Sequence, residues 1–408
     1  MPLCGILFSM RILAASDIHL GRRPRHGESG HESWQRVVDT AIELAVDVLL
    51  LAGDVIEHER AWLSVYAPLL DGLKRLAGAN IRTIAVAGNH DWEVFGRLVA
   101  EEEEITVLGS GGKWESIDYR GVRFIGWSFG QSHHDRNPFD RFPDDIVGTS
   151  LSIGVLHTDV GVSASRYAPT QMRDFEQSAV PFWVLGHIHK GGPVAGNTAL
   201  YCGSPIALDS SERGAHGVWL IEAESTIRWK EPLFIPLSPL RYEEVACDVT
   251  DLVEVEDVRS ALRREVRAYS DGLDFSGTLY VTVRFTGSLA VGLSLDTVMG
   301  AGGEEVSFPA KEGIACTILP GYIDATGTAI DLASLASGSG ADAQLARLLG
   351  DDALLLELYR RLEGESMNVS AYSSLGEVRL DDDEALREAK RAGLSLLEAM
   401  ASEKQGGV

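Results

Sequence analysis

Five short stretches, Asp17-Ile-His19, Gly53-Asp54, Gly88-Asn-His-Asp91, His157 and Gly186-His-Ile-His189, hold the side chains of this sequence best suited to grip a divalent cation. Each alone is weak evidence. An Asp-x-His pair is common by chance, Gly-Asp closes many turns, and a lone histidine is more often a satisfied polar residue than a ligand. As a set they carry more, because five of the eleven histidines fall inside them. Two carboxylates, one amide and four imidazoles, with no thiolate, suit a hard-to-borderline cation: manganese first, with iron or zinc as alternatives. Seven ligands exceed one coordination sphere and match two cations sharing a carboxylate. Such pairs, about 3.5–4 Å apart, clamp the attacking and leaving oxygens of an in-line phosphoryl displacement.

Residues so far apart in sequence need a rigid frame. Apolar runs at 11–16, 46–52, 81–87, 152–156 and 182–185 predict buried strands, and 33–44 and 62–76 predict helices between them. That alternation is the rhythm of a layered α/β domain, with β-sheets flanked by helices. Tyr119-Arg-Gly-Val122 reads as a hairpin turn, and 217–222 with 226–229 as a second antiparallel pair. The acidic run 101–104 reads as a solvated helix end. On this assignment all five motifs stand at the carboxyl ends of strands, where open α/β sheets gather their sites.

A chain of 408 residues with 45% hydrophobic residues has material for two or three cored domains, which sets disorder aside. Three prolines, Pro232, Pro236 and Pro239, mark a linker over 232–241. It follows a catalytic domain at 10–231 and precedes a smaller α+β unit at 242–332. In that unit Leu279, Val281, Val283 and Phe285 alternate along a predicted strand. After a Ser/Gly-rich boundary at 334–340 come helices predicted at 342–362 and 383–402, within a C-terminal region spanning 341–408. The last helix has a stripe of Leu386, Ala389, Gly393, Leu396 and Met400, suited to packing on its own domain or to docking a partner. Four dispersed cysteines without a CxxC pair fit a reducing, cytoplasmic setting. The opening apolar residues are too few to span a bilayer, so no membrane role is expected, and Met10 is an alternative start to Met1.

The net charge is −24. Residues 1–240 carry 21 basic against 30 acidic side chains and the remainder 15 against 30, so most of the excess lies in the C-terminal part. Bulk acidity argues against nucleic acid as a partner, yet Arg22, Arg23 and Arg25 form a local basic loop just past the first motif.

The motif order D-x-H, GD, GNH[DE], H, GHxH resembles that of the calcineurin-like metallophosphoesterase superfamily. The resemblance implies that Asp17, His19, Asp54 and His189 serve one metal, that Asp54 bridges to a second, and that Asn89, His157 and His187 complete the second. It makes His90 a non-ligand that gives a proton to the leaving oxygen, with Asp91 as its orienting partner. Met10-Arg-Ile-Leu-Ala-Ala-Ser-Asp-Ile-His-Leu-Gly, Gly53-Asp54-Val and Tyr201-Cys-Gly-Ser-Pro205 are similar to SbcD-type DNA repair exonucleases. That narrower likeness implies a DNA exonuclease or single-strand endonuclease, a capping unit that positions DNA, and C-terminal helices that dock an SMC-like ATPase. It places the arginines on neighbouring phosphates and leaves a homodimer open.

Two departures stand against it. Where many such nucleases have a histidine shortly after the GD motif, this chain reads Asp54-Val-Ile-Glu57-His58, so an accessory histidine is missing or displaced to His58. The capping segment is also acidic. Competing readings are a phosphodiesterase or phosphatase for small nucleotides, and a non-catalytic scaffold, which the complete ligand set disfavours. Gly203-Ser-Pro205 lacks the second glycine of a nucleophile elbow and reads as a turn.

Overall fold

The computed structural model describes residues 10–405 except 59–61, 101, 144, 227, 291, 301–304, 329–331 and 367–381. The chain divides into two compact units. The first runs to Glu243 and includes Phe275–Tyr280 and Gly313–Ala315; the second comprises Glu244–Asp274, Val281–Glu312 and Cys316–Val408.

The first unit runs β1 (Arg11–Ala15), α1 (Gly30–Glu43), β2 (Val48–Ala52), α2 (Trp62–Gly78), β3 (Arg82–Val86), α3 (Phe95–Leu98), β4 (Ile105–Val107), β5 (Trp114–Tyr119), β6 (Val122–Trp127) and β7 (Leu151–His157). It continues with α4 (Met172–Glu176), β8 (Trp183–Gly186), β9 (Gly192–Val194), β10 (Ala199–Tyr201), β11 (Gly217–Ser225), β12 (Arg228–Trp229) and β13 (Leu233–Pro236). One sheet has the order β12-β11-β1-β2-β3-β4, with β13 also on β11; the other has the order β5-β6-β7-β8-β10-β9. Within them β1, β2 and β3 are parallel neighbours, as are β6, β7 and β8.

The two sheets are layers of one sandwich. β2 reads Val-Leu-Leu-Leu-Ala and is buried throughout, because both its faces are covered. Leu49 and Leu51 join a core with Trp34, Val37 and Val38 of α1 and Leu69 and Leu73 of α2. Val48, Leu50 and Ala52 face the other way, into a core with Phe124, Ile153, Val155 and Val184 of the second sheet. An aromatic cluster of Trp183, Phe175, Trp127 and Phe129 covers that sheet's far side. The α1 helix starts where the Glu32 side chain accepts from the Ser29 amide at 2.6 Å.

Proline did not exclude the supposed linker from regular structure: Leu233–Pro236 pairs antiparallel with Gly217–Leu220 of β11. Such a strand lies at a sheet edge, where a missing N–H is tolerated. The acidic run, as far as residues 102–104 are described, is a turn leading into β4 rather than a helix end.

Further along the chain lie β14 (Leu240–Asp248), α5 (Val255–Asp271), β15 (Gly277–Leu289), α6 (Leu295–Met299), β16 (Val306–Lys311) and β17 (Ile314–Thr328), with sheet order β14-β15-β17-β16. Leu279, Val281, Val283 and Phe285 of β15 are fully buried, on the face their alternation selects. Val258, Ala261, Leu262 and Val266 form the buried stripe of α5.

Then follow α7 (Leu332–Ala336), α8 (Ala341–Leu349), α9 (Asp352–Ser366) and α10 (Asp382–Gln405). The single helix expected over 342–362 is thus two. Gly350 closes α8, and Asp351 restarts the chain by accepting from the Leu354 amide at 3.0 Å. The α10 stripe packs on its own neighbours: Leu386 and Ala389 join a cluster with Ala346, Leu349 and Leu355, whereas Leu397, not Leu396, is the buried residue of that turn. Gly393 lets the helices approach, since a Cβ there would stand 2.3 Å from the Leu349 side chain.

Candidate metal centre

The parallel strands of both sheets end at one place. β1 delivers Asp17 and His19, β2 delivers Asp54, and β3 delivers Asn89, His90 and Asp91, while β7 ends on His157 and β8 on the turn carrying His187 and His189. Two independently built sheets therefore supply the candidate ligands, and the sandwich core holds them in register.

The turns are tight. Asp17, His19 and Asp54 hold φ near +50°, and His187 holds +98°, positive values that are uncommon outside glycine and that Asp and His tolerate better than most residues. Their neighbours are glycines for a steric reason: a Cβ on Gly88 would meet Asp54 Oδ1 at 2.0 Å, and one on Gly186 would meet the Ala52 carbonyl at 2.1 Å.

Three histidines set Nδ1 against an oxygen, two of them through a hydrogen bond, so that Nε2 faces inward. His157 Nδ1 donates to the Ala52 carbonyl at 2.9 Å, and its Nε2 lies 3.2 Å from Asp54 Oδ2 and 3.1 Å from Asn89 Oδ1. His189 Nδ1 donates to Glu212 Oε1 at 2.6 Å. His19 Nδ1 lies 2.9 Å from Glu57 Oε2, off good hydrogen-bond alignment, and both atoms are buried with no other hydrogen-bond partner among the described residues. The Nε2 atoms of His19 and His189 stand 3.2 Å apart. Anchoring one imidazole nitrogen on a carbonyl or carboxylate is how proteins fix the other for a metal.

The donors group as Asp17, His19 and His189, as Asp17, Asp54 and His157, and as His19, Glu57 and His90, so Asp17 is the carboxylate common to the first two groups, whereas Asp54 belongs to one. His187 is placed by its backbone amide, which donates to Asp17 at 3.1 Å, and its ring packs edge-on against His157 at 5.2 Å.

Electrostatics fit a cation site. Asp17 and Asp54 are buried, at 0% and 2% exposure. Burial works to raise the Asp54 carboxyl, but His157 overrides it and holds the group well below the usual carboxylate range. Against its own burial, His157 is pushed up to about 9 by Asp54. Buried carboxylates that draw a proton onto a neighbouring imidazole demand positive charge, and divalent cations would supply it while favouring neutral imidazole. Burial, reinforced by the His157 charge, brings His187 down to about 4, which leaves it neutral and able to ligate.

His90 is at the rim, with its side chain 41% exposed and Nε2 4.0 Å from Asp54 Oδ2. Its Nδ1 donates to the Glu57 carbonyl at 2.7 Å. Asp91 is therefore not its orienting partner. The Asp91 carboxylate points into the interior, accepting from Gly88 N at 2.7 Å, Val55 N at 2.7 Å and Ile56 N at 3.2 Å. It ties the loop after β3 to the loop after β2. Burial and then the Asp54 charge push it up to about 7.

The arginines separate. Arg22 reaches the edge of the site, Nη1 4.0 Å from Glu57 Oε2 and Nη2 3.8 Å from Asp209 Oδ2, while Arg23 and Arg25 are exposed along the loop. His58 is exposed, and Glu57, one residue earlier, turns inward.

Sequence reasoning missed Glu57 and Glu212. Glu212 also accepts from Ser204 Oγ at 3.1 Å and the Leu208 amide at 2.8 Å, so the Gly203-Ser204-Pro205 turn buttresses His189. The departure at Asp54-Val-Ile-Glu57 was the signal for the first; nothing local marked the second.

Residues 10–191 match the family model described as calcineurin-like phosphoesterase. The chain is 26% identical over 290 residues to the uncharacterized metallophosphoesterase YhaO of Bacillus subtilis, covering 64% of this chain and 70% of that one. It is 27% identical over 228 residues to the DNA double-strand break repair protein Mre11 of Haloferax volcanii, covering 52% and 49%. With the protein of that name from Methanopyrus kandleri it shares 25% over 285 residues, covering 58% and 61%. The matches thus span about half to three fifths of the archaeal relatives' length.

Proposed function

Because the chain carries a calcineurin-like metallophosphoesterase domain, we propose that its site hydrolyses phosphodiesters with two divalent cations, manganese foremost, and that its substrate is DNA, degraded from ends or nicked as a single strand. The observation that carries the chemistry is the convergence of three Nδ1-anchored histidines on two buried carboxylates, with an exposed His90 beside them. The DNA reading draws on the likeness to repair proteins called Mre11 and on the Arg22–Arg25 loop at the edge of the site.

In this reading Asp17, His19, Asp54 and His189 would hold one cation, and Asn89, His157 and His187, with Asp54, would hold the other. The cations offset phosphate charge and activate water near neutral pH. The chain's part is orientation. The Glu57 carbonyl accepts a hydrogen bond from His90 Nδ1, which leaves Nε2 facing the departing oxygen; as imidazolium, His90 would give its Nε2 proton to that oxygen and keep the one on Nδ1. Residues 242–332 act as a capping unit for DNA and 341–408 as a docking region for an SMC-like ATPase. Three buried, unpaired cysteines, Cys202, Cys247 and Cys316, suit a cytoplasmic location, and among the described residues no helix is long and apolar enough to cross a membrane.

Purified protein with manganese should degrade linear DNA and act poorly with magnesium; hydrolysis of mononucleotides alone would overturn the DNA reading. His90→Ala should slow turnover by about 10²–10⁴-fold with manganese binding unchanged. A parallel loss of bound metal would make His90 a ligand.

A further inference from the structure

Glu57 touches three parts of the site at once. Its carboxylate Oε2 stands 2.9 Å from His19 Nδ1. Its carbonyl accepts from His90 Nδ1 at 2.7 Å. Its amide donates to the Leu20 carbonyl at 2.9 Å, extending the parallel bridge between Leu20 and Ile56. The segment following Asp54 is thereby zipped alongside the segment carrying His19, and Glu57 closes the zip.

The His19 contact is not incidental packing. His19 is 1% exposed, and both its Nδ1 and Glu57 Oε2 are buried with no other hydrogen-bond partner among the described residues. At 2.9 Å each is the hydrogen-bonding atom placed to offset the other's cost of leaving water, with the Arg22 guanidinium farther off, at 4.0 Å from the carboxylate. We infer that Glu57 is a positioning residue that couples the metal-holding His19 to the proton-donating His90: its side chain sets the tautomer of the first, its main chain aims the second. The inference rests on the two-cation reading of the site.

Manganese titration by calorimetry tests it, on the full chain stripped with chelator. Glu57→Ala should bind manganese about 10–100-fold more weakly than wild type, the usual loss on removing the anchor of a ligating histidine. Glu57→Gln, which keeps an acceptor oxygen of the same reach, should recover most of that loss. Long-range proton–nitrogen NMR should show the His19 ring as the Nδ1–H tautomer in wild type and as a mixture in Glu57→Ala. Affinity within about threefold of wild type in Glu57→Ala, with an unchanged His19 tautomer, overturns the inference. If Glu57→Ala does not fold, Glu57→Leu, which fills the space without an acceptor oxygen, decides on the same criteria. A wild-type chain that takes up no manganese fails at the first titration, and that result counts against the two-cation reading rather than against Glu57.

Discussion

At the scale of single residues, the site separates groups that face the reaction from groups that hold them still. The facing groups were legible in the sequence because carboxylate, amide and imidazole advertise their chemistry by type. The holders were not. Ala52 bonds His157 across 105 positions, Glu57 bonds His90 across 33 and Glu212 bonds His189 across 23. Such pairings are consequences of the fold, and a carbonyl oxygen carries no residue signature at all. Asp91 shows the hazard of reading neighbours: adjacent to His90 in sequence, it points the other way. Asp91→Ala would strip the acceptor from three buried amides. Since a buried unsatisfied donor costs about 1–3 kcal/mol, the loss should reach about 3 kcal/mol or more by urea unfolding in chelator. A loss below about 1 kcal/mol would mean water replaces the carboxylate.

At the scale of elements, apolar runs located β1, β2, β3, β7 and β8, and thereby the line of strand ends on which the ligands sit. Short or edge strands escaped. β4, β9 and β10 have three residues each, too few to show a period, and β13 is flanked by proline. The hairpin β5–β6 was legible from its Arg-Gly turn, and its pairing sets Asp118 opposite Arg123. Two hydrogen bonds join them, Nε to Oδ1 at 2.9 Å and Nη2 to Oδ2 at 2.7 Å, and the Arg123 contact holds the Asp118 carboxyl below its ordinary value. A depressed carboxylate contributes stability that is full above its unfolded value near 3.9 and is lost as pH falls through the folded one. Asp118→Asn should therefore cost about 0.5 kcal/mol at pH 7, as exposed pairs do. Melting curves of the two proteins should converge as pH drops below about 4; a gap that persists at pH 3 would assign the effect to packing.

At the scale of the whole molecule, length and composition pointed to more than one cored unit and the alternation of apolar runs to the α/β class, but the net charge of −24 says little about the site, where cationic and anionic groups are interleaved within a few ångströms. The sandwich has a consequence of its own. Its two sheets meet through apolar contact, and Leu50 and Val184 are fully buried among the side chains between them. One sheet supplies Asp17, His19, Asp54 and Asn89 to the centre, the other His157, His187 and His189. Cations bound there would rivet one layer to the other. At a hundredfold excess over its dissociation constant, manganese should then stabilise the protein by about 2.7 kcal/mol per site, raising the melting temperature above its value in chelator. By the same linkage the rivet is only as tight as the layers. Leu50→Ala, a change that touches no ligand and costs about 2–5 kcal/mol of stability, should register as a loosened grip on metal before it registers as an unfolded protein.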